Sequence, residues 1–116
     1  MQTLDDWVEG LPVAVTVTAA NGTITAMNAR SRETFAADGG AGLIGQCVFD
    51  CHPPAARAKA EALYRTPKSN HYTIQKRGQK KIIHQLPWFD HGKFGGIVEI
   101  SIPIPDELPH FDRDAQ

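Results

Sequence analysis

Gln46-Cys47-Val48-Phe49-Asp50-Cys51-His52-Pro53-Pro54 divides the chain into two kinds of pattern. Two short strand-like runs precede it, and an Ala-rich helical run followed by three more strand-like runs comes after it. Both cysteines and one of the five histidines fall inside it. That order describes a small sheet interrupted by a helical side, with this stretch as the threshold of that side. Any recognition or chemistry the protein carries is expected to involve it.

Just past the threshold, Pro53 to Arg65 reads as the longest helix, with Pro53 or Pro54 in the first turn, where a missing N–H costs nothing. Ala56, Ala60 and Leu63 make a narrow apolar stripe along it, and Arg57, Lys59 and Glu61 lie elsewhere around it. Just before the threshold, Leu43-Ile44-Gly45 is an apolar anchor closing the flexible loop Asp38 to Gly42. Asn28 to Phe35 reads as a short helix with Asn28 as its cap.

Farther out, Val13 to Thr18 alternates with period two, valines on one face, as a half-buried strand does. Asn21-Gly22 suits a tight hairpin turn, and Thr23 to Met27 is the returning strand. On the other side, His71 to Lys76, Lys81 to Phe89 and Phe94 to Ile102 are the remaining strands. The second of these carries Ile82, His84, Leu86 and Trp88 on one face. The third sets Phe94, Gly96, Val98, Ile100 and Ile102 against Gly95, Ile97, Glu99 and Ser101, and Pro103 and Pro105 stop it. Leu4 to Glu9 is a short helix that Gly10 ends. The expected division is an N-terminal helical cap at residues 1–10, an α+β domain at 11–104 and a flexible tail at 105–116. Two strands, a helical segment and three strands imply a five-stranded antiparallel sheet with short helices packed on one face.

A chain of 116 residues builds one modest core. Its net charge of -1 removes the main reason to expect nucleic acid or an anionic membrane as partner. The basic stretch Lys76 to Lys81 brackets Gly78 and reads as a solvated hairpin turn. No apolar run approaches the ~20 residues needed to span a bilayer. The acidic start Met1 to Asp6 lacks the features of a signal peptide, so a cytoplasmic location with reduced thiols is expected.

Leu11-Pro12-Val13, Asn21-Gly22-Thr23-Ile24 and Asn28 together resemble the opening of PAS sensor domains. Leu43-Ile44-Gly45, Phe49-Asp50 before the long helix, and Phe94-Gly95-Gly96-Ile97-Val98 fit the same family, over roughly residues 4 to 104. Cys51-His52-Pro53-Pro54 is similar to a PAS subgroup carrying CHPP at that place. The resemblance implies a ligand cavity between the long helix and the sheet, and a non-catalytic sensing function. Many PAS domains end in an Asp-Ile-Thr segment leading into an output helix. Here Ile100-Ser101-Ile102-Pro103-Ile104-Pro105 stands instead, and its prolines forbid a continuous helix. Output is therefore expected through a homodimer or a separate partner. Trp7, Val8 and Leu11 are expected to join the outer sheet face in that dimer.

The candidate ligand-binding residues are Phe49, Cys51, His52, Leu63, Ile74, His84, Leu86 and Val98, the apolar ones for burial and the histidines to orient a small molecule. Two roles are open to His52: contact with a carboxylate ligand or a haem iron, or a bond to a loop carbonyl that fixes the helix entrance. His84 has a core reading and a ligand reading. The cofactor is left unknown, with haem bound through His52, His84 or Cys51 as one alternative and a ligand-free interaction module as another. Cys47-x-x-x-Cys51-His52 resembles the longer c-type haem attachment motif, but that attachment goes with export. Zinc would lack a second short-spaced ligand pair. No nucleophile elbow, P-loop or dinucleotide fingerprint is present, so no catalytic residue is assigned.

Overall fold

The computed structural model describes residues 3–114, apart from the side chain of Cys51. Its elements are α1 (Asp6–Glu9), β1 (Ala14–Thr18), β2 (Ile24–Met27), α2 (Ala29–Thr34), α3 (Pro54–Arg65), β3 (Asn70–Lys76), β4 (Gln79–Asp90) and β5 (Lys93–Pro103). Short 3-10 turns at Ala36–Asp38, Gly40–Leu43 and Val48–Cys51 fill the path from α2 to α3. The strands form one antiparallel sheet in the order β2-β1-β5-β4-β3, the α+β architecture expected from the pattern.

The hairpin between β1 and β2 is wider than a two-residue turn. Gly22 alone of the Asn-Gly pair takes a positive φ, 86°, and the Asn21 side chain accepts the Thr23 N–H at 3.0 Å. Gly22 also needs to be bare, because a Cβ there would lie 2.7 Å from the Phe49 ring. Opposite Val17/Thr18 the register slips, leaving Thr25 as the extra residue of a bulge. The slip lets Ile24 and Met27 both face the helices while Ala26 faces away.

Asn28 does more than cap α2. Its side-chain oxygen accepts the N–H groups of Ser31 (3.0 Å) and Val15 (2.9 Å), and its amide donates to the carbonyls of Val8 and Val13, both at 2.9 Å. This fully buried side chain thereby joins α1, β1 and α2 with its hydrogen-bonding capacity filled. Arg32 reinforces the junction with a two-pronged pair to Glu9, at 3.0 and 2.6 Å, and a 2.7 Å bond to the Met27 carbonyl.

The threshold stretch begins as a strap on the free edge of β2. Gly45 N–H donates to Ile24 O, Ile24 N–H to Gln46 O, and Val48 N–H to Gly22 O, at 2.7 to 2.8 Å. Covering that edge removes unpaired backbone groups and fixes where α3 starts. The Leu43-Ile44 anchor packs with Ile24 and Met27 against Phe35 and Val48. A second cluster lies on the opposite, outer face, where Val15, Val17 and Ala26 pack with Leu4, Val8, Leu11, Trp88, Val98 and Ile100.

Candidate functional site

Strand register builds the site. Thr16 pairs with Glu99, Glu99 with Gln85, and Gln85 with Asn70, so four polar side chains form one row across β1, β5, β4 and β3. The row faces α3. Over it, α3 contributes Ala56, Lys59, Ala60, Leu63 and Tyr64, and the turn before it contributes Val48 and His52. Between these walls lies a cavity of about 500 Å³, with Thr18, Ile97 and Tyr72 completing its floor. The apolar stripe expected on α3 does face inward, but no residue of α3 is buried. The helix roofs an open space rather than filling it.

Thr18 is the hinge of this arrangement. Its hydroxyl donates to Ile97 O at 3.1 Å and accepts Ile97 N–H at 3.2 Å. With that donor used, the 2.5 Å contact to Tyr64 must have the phenol as donor. Burial raises the Tyr64 pKa, against a smaller opposing effect of Thr18, so the phenol keeps its proton. The Thr18 carbonyl accepts the Trp88 indole N–H at 3.1 Å. Gly96 leaves room for this carbonyl, since a Cβ on it would lie 1.9 Å away. Gly95 is the extra residue of a second bulge, and the slip turns Phe94 toward Tyr64 rather than toward the face of Val98.

Glu99 is the one acid lining the cavity. Burial raises its pKa, and the Gln85 amide and the His52 ring pull less strongly the other way. Burial also raises the Tyr72 pKa, with the charge of Glu99 adding to it.

The eight expected ligand contacts do not share this cavity. His52 and Leu63 line it. The imidazole is largely exposed, and its Nδ1–H donates to the Val48 carbonyl at 2.6 Å, so it fixes the helix entrance while its ring borders the cavity. Phe49 stands behind the wall, edge-on to Tyr64 with ring centroids 5.0 Å apart. Ile74 lines an adjoining 220 Å³ cleft near Phe35 and Asp38, which shares Thr16, Tyr72 and Glu99 with the cavity. His84, Leu86 and Val98 lie on the outer face: Leu86 pairs with Val98, and His84 pairs with Ile100 and His71. The Nδ1 atoms of His71 and His84 are 2.8 Å apart, which ties His84 to the outer edge. The Cys51 side chain lies outside the described residues. Among the described residues, no group of three or more His, Cys, Asp and Glu could hold a metal ion.

The polar row was missed because the more apolar face was assigned to the cavity. Its signal was present in the alternation: Ile97, Glu99 and Ser101 share a face on the last strand, as Thr16 and Thr18 do on the first.

A sequence model of the PAS fold matches residues 8–107. No curated protein sequence matches the chain. Among solved structures, the Aer2 receptor from Vibrio cholerae, described as a dual PAS-heme oxygen sensor, superposes with a TM-score of 0.62 at 18% identity, covering 84% of this chain and 99% of that one. A C-terminal domain from Streptococcus mutans gives 0.67 at 16% identity, covering 88% and 90%. The PAS domain of Bordetella pertussis BvgS gives 0.58 at 20% identity, covering 86% and 82%. With the family match spanning nearly the whole sheet and its helices, the chain belongs to the PAS fold family.

Proposed function

We propose that this PAS domain is a non-catalytic sensor that binds a small molecule beneath α3 and signals through a homodimer or a separate partner. The carrying observation is the cavity: about 500 Å³ lies within the range of small-molecule sites, and its walls mix apolar side chains with convergent polar ones. A roof helix with no buried residue is free to shift when the space is occupied. His52 and Leu63 are the expected contacts retained, joined by Glu99, Gln85, Tyr72 and Tyr64, while Phe49 braces Tyr64. The Cys51-His52-Pro53-Pro54 run supports a place in the CHPP subgroup. Among the described residues no helix is long and apolar enough to cross a membrane, in keeping with a cytoplasmic role.

The outer face suits the dimer. Leu86, Val98, Ile100 and Ile102 are only partly buried there, and Trp7 on α1 is 69% exposed. Sedimentation velocity of the Trp7→Ala variant tests this, with a shift toward monomer expected and an unchanged distribution counting against it.

A haem in the cavity fits poorly. His52 has the fixed ring of an axial ligand, with Nε2 unbonded by Val48. The floor across from it, however, is Glu99, Gln85 and Asn70, which would bury a carboxylate and two amides against an apolar porphyrin face. No Soret band is expected after haem reconstitution.

Filling the cavity tests the sensing reading directly. In a thermal-shift screen against a metabolite panel, stabilisation of the wild type is expected to vanish in Ala60→Trp, whose indole would occupy the space. Stabilisation that survives this substitution would show that binding occurs elsewhere.

A further inference from the structure

Glu99 sits on the central strand β5 and points into the cavity, yet among the described residues it forms no ion pair. We infer that the cavity is built for a small organic cation carrying N–H donors, a protonated amine or a guanidinium, seated against Glu99. This deepens the sensing reading above and rests on it.

The argument runs through which donors are already spent. Asn70 Nδ2 donates to Gln85 Oε1 at 2.9 Å, which orients the Gln85 amide so that its own N–H groups are left for the Glu99 side. The Thr16 hydroxyl is engaged with Ser31 at 2.6 Å, and Thr18 and Tyr64 bond each other. An ionised carboxylate offers about four acceptor sites, and the row supplies it with one amide. At the mouth, the His52 Nδ1–H is committed to the Val48 carbonyl, which leaves Nε2 as the one ring nitrogen open to a ligand. Tyr64 and Tyr72 add aromatic surface of the kind that attracts cations. Glu99 is half-buried, so its charge is partly withdrawn from water, and among the described residues no lysine or arginine is paired with it.

Other charged or titratable groups bordering the space are Lys59 and Tyr64 from α3, His52 from the turn and Tyr72 from β3, and the adjoining cleft that Glu99 also lines carries Asp38, Lys76 and Lys81. Lys59 is exposed at the rim and makes no ion pair with Glu99. Burial raises the Glu99 pKa in the empty cavity and a bound cation draws it down, so at a pH between those two values binding releases a proton, and the titration is run there. A carboxylate ligand would instead require Glu99 to take a proton up.

Isothermal titration of the full chain, in two buffers of different ionisation enthalpy, reads this sign. The probes are a panel of alkylamines and alkylguanidines beside carboxylates of matched carbon skeleton. Cations are expected to bind with proton release, and Glu99→Gln to weaken them about tenfold to a hundredfold and abolish the release. Carboxylates binding with proton uptake, still lost in Ala60→Trp, would overturn the cation assignment and leave the sensing reading standing. Failure of both classes to bind would overturn both. Should Glu99→Gln not fold, the sign of the proton change in the wild type decides alone.

Discussion

The two faces of the sheet follow opposite rules. On the outer face, Val15 and Val17 pack with Val98, Ile100 and Trp88, and the N-terminal residues Leu4, Val8 and Leu11 close over them. On the helix face the same central strands present Thr16, Thr18 and Glu99, and the helix above them buries none of its residues. The helix face has a core of its own only at the β2 end, where Ile24, Met27 and Leu43 are buried, and it stays open beneath α3. On β1 and β5 the apolar stripe marks where the outer layer is held together, and the polar stripe beside it marks the floor of the open space.

The junction under the outer face is the place to break that contrast most severely. Asn28→Ala would leave the N–H groups of Val15 and Ser31 and the carbonyls of Val8 and Val13 without their partner. Each buried unpaired group costs about 1–3 kcal/mol, and partial relaxation brings the expected loss to about 4 kcal/mol. Urea unfolding with an unchanged slope measures it. A loss below about 1 kcal/mol would mean that water replaces the side chain and that the junction is not as closed as its burial suggests.

A matched pair of truncations compares the faces directly. Val17, 6% exposed in the outer cluster, should cost about 2 kcal/mol on replacement by alanine, through lost burial and the cavity left behind. Leu63→Ala on the cavity wall should cost under about 1 kcal/mol, because its side chain already borders empty space. Equal losses would show that α3 is as firmly packed as the outer layer. Amide exchange should rank the same way, with α3 exchanging before β1 and β5.

Much of the fold was legible because its signals are local. The alternation in Val13 to Thr18, the cap at Asn28, the Leu43-Ile44 anchor and the prolines opening α3 each act within a few residues of themselves. The site was less legible because it is assembled by pairing. Thr16, Gln85 and Glu99 are far apart in sequence and meet only through the register of β1, β4 and β5. Two bulges, at Thr25 and Gly95, shift the alternation where period-two counting continues unchanged, which is why Phe94 lies with Tyr64 rather than with Val98. The place of His52 at the helix entrance is readable because it directly precedes the two prolines, whereas Glu99 reads as one polar break in an apolar strand.

The smallest expected effect is also the one that separates two carboxylates. Glu9 on α1 has its pKa lowered, first by the hydrogen bond from Arg32, so its contribution to stability is present above the ordinary carboxyl pKa and lost as pH falls through the lowered one. Glu99 has its pKa raised by burial, so the folded state holds the proton more tightly than the unfolded one. Its contribution is complete below the ordinary value and is lost as pH rises through the raised folded value. Melting temperatures of wild type and Glu99→Gln, compared from acid to neutral pH, isolate this group because Glu9 is common to both. The variant should gain on the wild type as pH rises across that interval, and a saturating amine should shrink the gain by giving the Glu99 carboxylate its counter-charge. A difference that stays flat with pH would mean that Glu99 ionises as freely in the folded chain as in the unfolded one, which a carboxylate facing solvent rather than a confined cavity would do.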